Sequence, residues 1–338
     1  MRPSTKLLLI LAAAGLLVPA AGGYALFLTK CIAFALFAMA FNFFTGNVGL
    51  LSIGHAAFFG MGAYVTGHAA KVWGLTPEAA LALGGLTGAL LGLVIGALAI
   101  RRQGIYFAMI TLALAQMIYF FCVQAPFTGA EDGLQRIPRG ALFGLVDLGS
   151  DWAMYGLALA VALACGWGLQ RIMEAPFGQV LVAIRDNEPR AVSLGYDVQA
   201  FKRSAFVLSA LVAGLAGGLK ALAMGLASLP DVHWTQSGAV ILMCLLGGLG
   251  TPLGPVIGAI LVVSLESKLA GLGVVGLGPV TVDLSTKVPI VIGVIFMSCV
   301  LLFRRGIVGE VQEWQARRGK AAVPAPVSAP AMPKPEAR

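Results

Sequence analysis

The sequence predicts an all-α fold: a polytopic membrane helix bundle of about ten spans, with broken helices and both termini in the cytoplasm. Of 338 residues, 59% are hydrophobic and only 11% are charged, less than half of the roughly 25% typical of a soluble domain. So few charges cannot cover a water-exposed surface of this size. The composition therefore excludes a soluble enzyme, a nucleic-acid binder and a disordered protein. Uncharged stretches also recur at about the 20 residues that a spanning helix needs.

The first uncharged stretch, residues 7–29, is interpreted as an uncleaved span, because its apolar run continues past any plausible signal-peptide cleavage site. Residues 31–70 carry no formal charge and would make one helix about 60 Å long, twice the hydrocarbon thickness. The chain is therefore expected to turn back near Gly46, Gly49 and Gly54. Further spans are predicted at 79–100, 104–124, 152–170, 204–226, 232–265 (a broken pair) and 288–303, with a glycine-rich connection at 270–287.

These spans group into an N-terminal span with its flanks (1–30), a membrane domain (31–305) and a cytoplasmic tail (306–338). The tail is rich in alanine and proline and is expected to be disordered from about residue 321. Lysine and arginine concentrate on the cytoplasmic side of membranes. With both termini inside, sixteen of the 23 basic residues face inward and six outward, while Lys220 falls within a span. We expect Lys220 to lie near the outer end of its span and to reach the headgroups.

Two segments break helical regularity, one over residues 46–55 and the other over 247–255. Glycine costs about 1 kcal/mol and proline about 3 kcal/mol in a helix interior, and irregular backbone is tolerated in a bilayer only inside protein or beside a watery cavity. One hypothesis is that the two breaks line a translocation path, and the alternative is close helix packing or helix capping. The residues assigned to the path are Asn47, Gly49, Ser52, Gly54, His55, Gly247, Gly250 and Thr251.

The longest polar stretch of the chain body contains a compact helix-turn-helix. Pro176 and Gly178 mark its start, a short helix follows, and Gly195 ends a second turn. Its apolar stripe, which includes Leu181 and Ile184, is typical of an element that docks into another protein's groove. The alternative, a helix lying on anionic lipid, is less favoured because acidic residues balance the basic ones.

No sequence pattern indicates a cofactor, a metal ion or a catalytic centre. The three histidines are far apart, and the phosphate-binding pattern GxxxxGK[ST] is missing. An intramembrane enzyme would need a nucleophile with a base or a metal cluster. An ion-coupled secondary transporter typically uses acidic groups within its spans, and the sequence predicts none at mid-span. Both classes are therefore disfavoured.

Six segments, in order, carry a resemblance to a known family. They are GLLSIGHAAFFGMGAY at 49–64, RQGIYFAM at 102–109, TGAEDGL at 128–134, and the segments 177–195, 210–218 and 247–258. On these segments the chain resembles the permease subunits of branched-chain amino-acid ABC importers, in particular the LivM-like branch, over residues 31–305. Departures are modest: Ala130 stands where glycine is frequent, and Lys220 where an uncharged residue is usual.

The resemblance implies a multi-pass subunit of the bacterial inner membrane that is not itself an enzyme. It implies as partners two cytoplasmic ATPase subunits, a second, related permease subunit and a periplasmic binding protein. Branched-chain amino acids are the expected substrates, with urea or short-chain amides as alternatives within the same family. The residues assigned to ATPase coupling are Phe177, Gly178, Leu181, Ile184, Arg185, Asp186, Asn187, Glu188, Ala191 and Gly195, with Leu181 and Ile184 as the apolar anchor.

Overall fold

The computed structural model describes residues 24–271, 274–277, 280–283, 290, 293–298, 301 and 306–310. In chain order its helices are α1 (Ala25–Val48), α2 (His55–Lys71), α3 (Pro77–Ala99), α4 (Ile105–Gln124), α5 (Asp151–Glu174), α6 (Pro176–Asp186), α7 (Glu188–Ser193), α8 (Val198–Met224), α9 (Leu229–Val232), α10 (Trp234–Gly247) and α11 (Gly254–Gly271). Two 3-10 turns, Pro126–Thr128 and Ala130–Asp132, follow α4.

Three short antiparallel strand pairs accompany the helices. Strand β1 (Leu134–Gln135) pairs with β4 (Leu226–Ala227), β2 (Ala141–Leu142) with β3 (Val146–Asp147), and β5 (Val274–Leu277) with β6 (Val280–Asp283). The sequence predicted no strands, and the β5–β6 pair occupies the segment expected to be only a connection. The fold is otherwise helical, as predicted.

Five helices in the described part of the chain, α1, α3, α4, α5 and α8, are long and apolar enough to cross a membrane. The shorter α10 is also apolar. The protein is therefore a polytopic helical membrane protein. The count of ten spans and the positions of the termini stay predictions, since the first predicted span up to residue 23, much of the last and the 321–338 tail lie outside the described residues.

The start of α1 differs from the expectation that one span ends and the next begins around Lys30. The helix runs from Ala25 to Val48 without interruption. Thr29 donates its hydroxyl to the Ala25 carbonyl at 2.8 Å, and the Lys30 ammonium lies 5.9 Å from the centre of the Phe34 ring. One lysine near a helix end does not stop the helix, because its long side chain finds a partner along the helix surface.

Other helix ends follow local sequence. Helix α1 ends where Gly49 adopts a left-handed conformation (φ 79°), and α8 ends at Gly225 (φ 65°) in the same way. The Asp197 carboxylate accepts the Ala200 amide at 3.1 Å and so caps the start of α8. Pro176 occupies the first turn of α6, where its missing N–H has no cost.

The core forms where α8 packs against α1, α2 and α3, with fully buried phenylalanine rings between the helices. Along one seam the contacts are made by glycines. A Cβ atom on Gly62 would overlap the Gly214 carbonyl, and one on Gly88 would overlap the Ala210 carbonyl. Small residues thus let α2, α3 and α8 approach at backbone distance, the usual way for helices to associate in a membrane.

The bundle has two distinct ends. We call residues 175–197, which include α6 and α7, the elbow, and the bundle end beside it the elbow end. At the opposite end, called the loop end, the 125–150 connection folds over the helices. There the Lys71 ammonium donates to the Gln135 carbonyl at 2.8 Å, and β1 pairs with β4 directly after α8.

Candidate functional site

The first break separates α1 from α2. Residues 49–54 are not helical, and a Cβ atom on Gly54 would overlap the Thr111 carbonyl of α4, so this position accepts only glycine without movement of the backbone. The Gly54 amide donates to the buried Ser52 hydroxyl at 3.4 Å. The break is therefore packed inside protein.

His55, the first residue of α2, is fully buried and ties three helices together. The Ser209 hydroxyl of α8 donates to the Ala40 carbonyl of α1 at 2.6 Å, and His55 Nε2 lies 2.9 Å from the same hydroxyl oxygen. Because the hydroxyl hydrogen is used on Ala40, His55 Nε2 must be the donor. His55 Nδ1 has no hydrogen-bond partner among the described residues. This geometry is the kind expected if the break serves close helix packing, the alternative to a translocation path.

The second break separates α10 from α11. Gly248 (φ 119°) and Gly250 (φ 79°) adopt backbone conformations that side chains disfavour. The Thr251 hydroxyl donates to the Gly248 carbonyl at 2.7 Å and accepts the Gly254 amide at 3.1 Å. A Cβ atom on Gly247 would overlap the Gly254 carbonyl. The break is thus a tight turn of a helical hairpin.

The two breaks contact each other. A Cβ atom on Gly46 would lie 2.9 Å from the Gly250 amide nitrogen. The Asn42 side chain bridges them, since its Oδ1 accepts the Gly250 amide at 2.7 Å and its Nδ2 donates to the Thr251 carbonyl at 3.1 Å. We call this contact of Asn42 and Gly46 with residues 248–251 the junction.

Asn42 was not among the residues assigned from sequence. The available signal was an amide side chain one helical turn before Gly46, after an uncharged apolar run from Cys31 to Phe41. Asn47, which was assigned to the path, instead donates to the Phe43 carbonyl of its own helix at 2.9 Å. Of these two amides, Asn42 is therefore the one that contacts the second break.

The elbow reaches the junction through Arg185. Its Nη1 donates to the Gly46 carbonyl at 2.8 Å, and its aliphatic part covers Gly49, where a Cβ atom would lie 2.9 Å from Arg185 Cγ. The other face of the guanidinium bonds Asp186 Oδ1, with Nε at 3.2 Å and Nη2 at 3.1 Å. One side chain thus joins the surface elbow to the first break.

Other polar residues of the elbow also have partners in this chain. The Glu188 carboxylate pairs with the Lys202 ammonium at 2.8 Å and accepts the Gln103 amide at 2.9 Å. Asn187 Oδ1 accepts the Arg190 amide at 3.1 Å and caps α7. Of these two residues assigned to ATPase coupling from sequence, Glu188 ties the elbow to the bundle and Asn187 acts within the elbow.

The side chains expected to form the apolar anchor, Leu181 and Ile184, pack inside this chain. Leu181 is fully buried in the main core, and Ile184 is 2% exposed in a small cluster with Ala191 and Val198. The apolar stripe of α6 thus faces its own protein, and the coupling role of these two side chains stays a prediction. The large exposed hydrophobic residues of the elbow are Val192, Leu194 and Tyr196.

Of the other residues assigned to coupling, Phe177 and Gly178 pack against this chain and Gly195 is exposed. Phe177 stacks on Phe201 with ring centres 5.4 Å apart. Gly178 contacts the Met173 backbone closely enough that a Cβ atom would overlap it. Gly195 (φ 87°) is exposed and has open space around its Cα, so it serves the turn rather than a close contact.

At the loop end, the prediction that Lys220 reaches the headgroups is wrong. Its Nζ pairs at 2.6 Å with the buried carboxylate of Asp231 in α9. The Ser228 amide and hydroxyl donate to the same carboxylate oxygen at 3.1 and 3.0 Å. Sequence analysis missed Asp231, although Ser228-x-x-Asp231 has the spacing of a capping box.

Within the described residues, no group of three or more His, Cys, Asp or Glu is placed to hold a metal ion. Membrane-spanning helices, two broken helices that meet inside the bundle and a surface elbow bonded to their junction define a transport-type membrane protein. A profile described as "Branched-chain amino acid transport system / permease component" matches residues 23–303. The chain belongs to this family of ABC-transporter permeases.

Similar curated proteins are permeases of transport systems. The chain is 28% identical over 258 residues to the high-affinity branched-chain amino acid transport system permease protein LivM of Salmonella typhimurium and, equally, of Escherichia coli. Each match covers 70% of this chain and 61% of the relative, so the chain spans about six tenths of their length. The autoinducer 2 import system permease protein LsrC of Klebsiella pneumoniae is 32% identical over 198 residues, 56% of this chain and 53% of the relative. No solved structure matches.

Proposed function

We propose that this chain is a membrane-spanning subunit of an ATP-driven importer for branched-chain amino acids in the bacterial inner membrane. The observation that carries the proposal is the family match over residues 23–303, which includes both breaks and the elbow. The relatives named LivM support the substrate class. A second related permease subunit, two ATPases and a periplasmic binding protein complete the assembly.

The elbow is the proposed docking site for a cytoplasmic ATPase. Its outer surface presents the exposed apolar side chains Val192, Leu194 and Tyr196, next to exposed Arg190 and Asp197. An apolar patch with a charged rim is typical of a protein interface. The positive-inside rule supports a cytoplasmic position for the elbow, because lysine and arginine are frequent in and around it.

Transport in reconstituted vesicles tests the function. The permease pair with its ATPases, placed in proteoliposomes with the binding protein outside, is expected to accumulate labelled leucine, isoleucine or valine only when ATP is inside. Labelled urea, acetamide and autoinducer 2 serve as alternative substrates. Uptake of one of these instead would contradict the substrate class. Uptake by this chain alone, driven by an ion gradient without ATP, would contradict the whole proposal.

The docking surface is tested by Leu194→Asp, which places a charge in the centre of the exposed patch. We expect the variant to fold normally, because Leu194 is 69% exposed, and to lose most of its co-purifying ATPase, since a charge desolvated at an interface is costly. Leu145→Asp is the matched control, an exposed leucine at the loop end, and should retain the ATPase.

Ile184→Asp is unsuitable for this experiment, because Ile184 is buried within the elbow. That substitution is expected to unfold the elbow rather than report on docking. If Leu194→Asp co-purifies with wild-type amounts of ATPase, the patch is not the docking surface.

A further inference from the structure

Arg185 occupies an unusual position for a residue of a surface helix. It lies in the last turn of α6, yet its guanidinium crosses to the end of α1 and donates to the Gly46 carbonyl. Gly46 belongs to the last turn of α1, where carbonyls have no helical N–H partner. A cation at a helix C-terminus also opposes the negative end of the helix dipole. Arg185 therefore caps α1 from outside that helix.

The capped carbonyl belongs to the junction. The Gly46 backbone lies against Gly250, and Asn42, one turn earlier, bonds the Gly250 amide and the Thr251 carbonyl. Arg185 is therefore one hydrogen bond away from a contact that joins both broken helices.

Contacts of the rest of the Arg185 side chain hold its guanidinium beside the Gly46 carbonyl. The Asp186 carboxylate bonds the other edge of the guanidinium, through Nε and Nη2, and leaves Nη1 to the Gly46 carbonyl. The stem of Arg185 covers Gly49, whose left-handed conformation disfavours any side chain there. A displacement of α6 must either carry the end of α1 with it or break this bond.

We propose that Arg185 is the positioning residue that transmits movement of the elbow to the junction of the two breaks. The inference rests on the proposed function, in which an ATPase moves the elbow. Arg185 acts through the Gly46 carbonyl and touches neither substrate nor nucleotide in this role. Arg185 thereby couples ATP hydrolysis by the ATPase to the conformational change at the junction.

The test uses Arg185→Ala in the complete complex, with uptake and ATP hydrolysis measured on the same vesicles. At equal amounts of bound ATPase, we expect the substrate taken up per ATP hydrolysed to fall about tenfold, the loss expected when one hydrogen bond to a charged group is removed. Arg171→Ala is the control, because Arg171 is exposed near the same end and makes only a weak 4.0 Å pair with Glu174. It should leave the ratio unchanged.

Two further variants separate the bond to Gly46 from the surface ion pair. Arg185→Lys keeps a donor that can reach the carbonyl and should restore much of the ratio. Asp186→Asn removes the charge of the pair but leaves the bond to Gly46, and should transport like wild type. An uncoupled Asp186→Asn, or an Arg185→Ala with a normal ratio, would overturn the inference.

A second measurement does not depend on transport. Hydrogen exchange on the purified full-length chain in lipid nanodiscs should show faster exchange over residues 245–253 in Arg185→Ala than in wild type or Arg171→Ala, because the Gly250 amide bond depends on the position of α1. Unchanged exchange there would also overturn the inference. Failure of the proposed function would instead appear in the wild-type complex, as uptake that does not require ATP.

Discussion

Helix α8 carries a buried lysine near each end, and the two lysines are held differently. Lys202 lies at the elbow end and Lys220 at the loop end, about 27 Å apart at 1.5 Å per residue. Each pairs with a carboxylate from a short neighbouring helix, Glu188 of α7 at 2.8 Å and Asp231 of α9 at 2.6 Å. A lysine–carboxylate ion pair thus attaches a short helix at each end of α8.

The difference lies in the carboxylates. The Asp231 side chain is 8% exposed and also held by Ser228, whereas Glu188 is 29% exposed and shared with Gln103 at the surface. Water can replace Lys202 as the partner of Glu188 but has little access to Asp231. We therefore expect opening of the loop-end pair to cost more free energy than opening of the elbow-end pair.

The largest effect is expected from Asp231→Ala, which leaves the Lys220 ammonium buried with no other partner among the described residues. Removing one member of a buried pair costs roughly 3–5 kcal/mol of unfolding free energy, measurable as a lower thermal midpoint in detergent. Lys220→Met should cost less, because the Ser228 amide and hydroxyl still satisfy the carboxylate. Equal losses for the two variants would contradict this view of the loop end.

A smaller effect is expected from Glu188→Ala at the elbow. Lys202 loses its partner, but the site is open to water on the carboxylate side, so the cost should be about 1–3 kcal/mol. Limited proteolysis should show earlier cleavage within residues 186–197 while the rest of the bundle stays intact. If Glu188→Ala destabilises the protein as much as Asp231→Ala, the two ends do not differ as proposed.

The smallest effect is expected from Asp151→Ala, which breaks a third pair on the loop-end surface. Asp151 is 42% exposed, and Arg139 keeps hydrogen bonds to the Gly149 and Ala223 carbonyls. Exposed pairs contribute about 0.2–1 kcal/mol, so the thermal midpoint should change little. A loss as large as that of Glu188→Ala would show that burial of the carboxylate does not set the order.

The spans of the chain body were predictable because hydropathy and length determine them. The predicted span 79–100 corresponds to α3 (Pro77–Ala99), and 104–124 to α4 (Ile105–Gln124). Helix α8 begins six residues before the predicted span 204–226, because the charge of Lys202 placed it in the preceding polar loop. Glu188 compensates that charge, and sequence alone does not reveal a partner in another element.

The breaks were also predictable from glycine and proline, whereas their contact was not. Asn42 and Gly250 are far apart in sequence, and only the packing of α1 beside the α10–α11 hairpin brings them together. Likewise, the period of the apolar stripe in α6 identifies an amphipathic helix, but it does not say whether this chain or a partner covers Ile184.

The glycine seam between α2, α3 and α8 has a mechanical consequence. Where the Gly214 backbone lies directly on Gly62 and on Gly84, no side-chain rotamer stands between the helices to absorb a displacement. A displacement of one of the helices α2, α3 and α8 is therefore expected to move the other two with it. We therefore expect bending to occur in non-helical segments, among them 49–54 and 248–253, rather than along this seam.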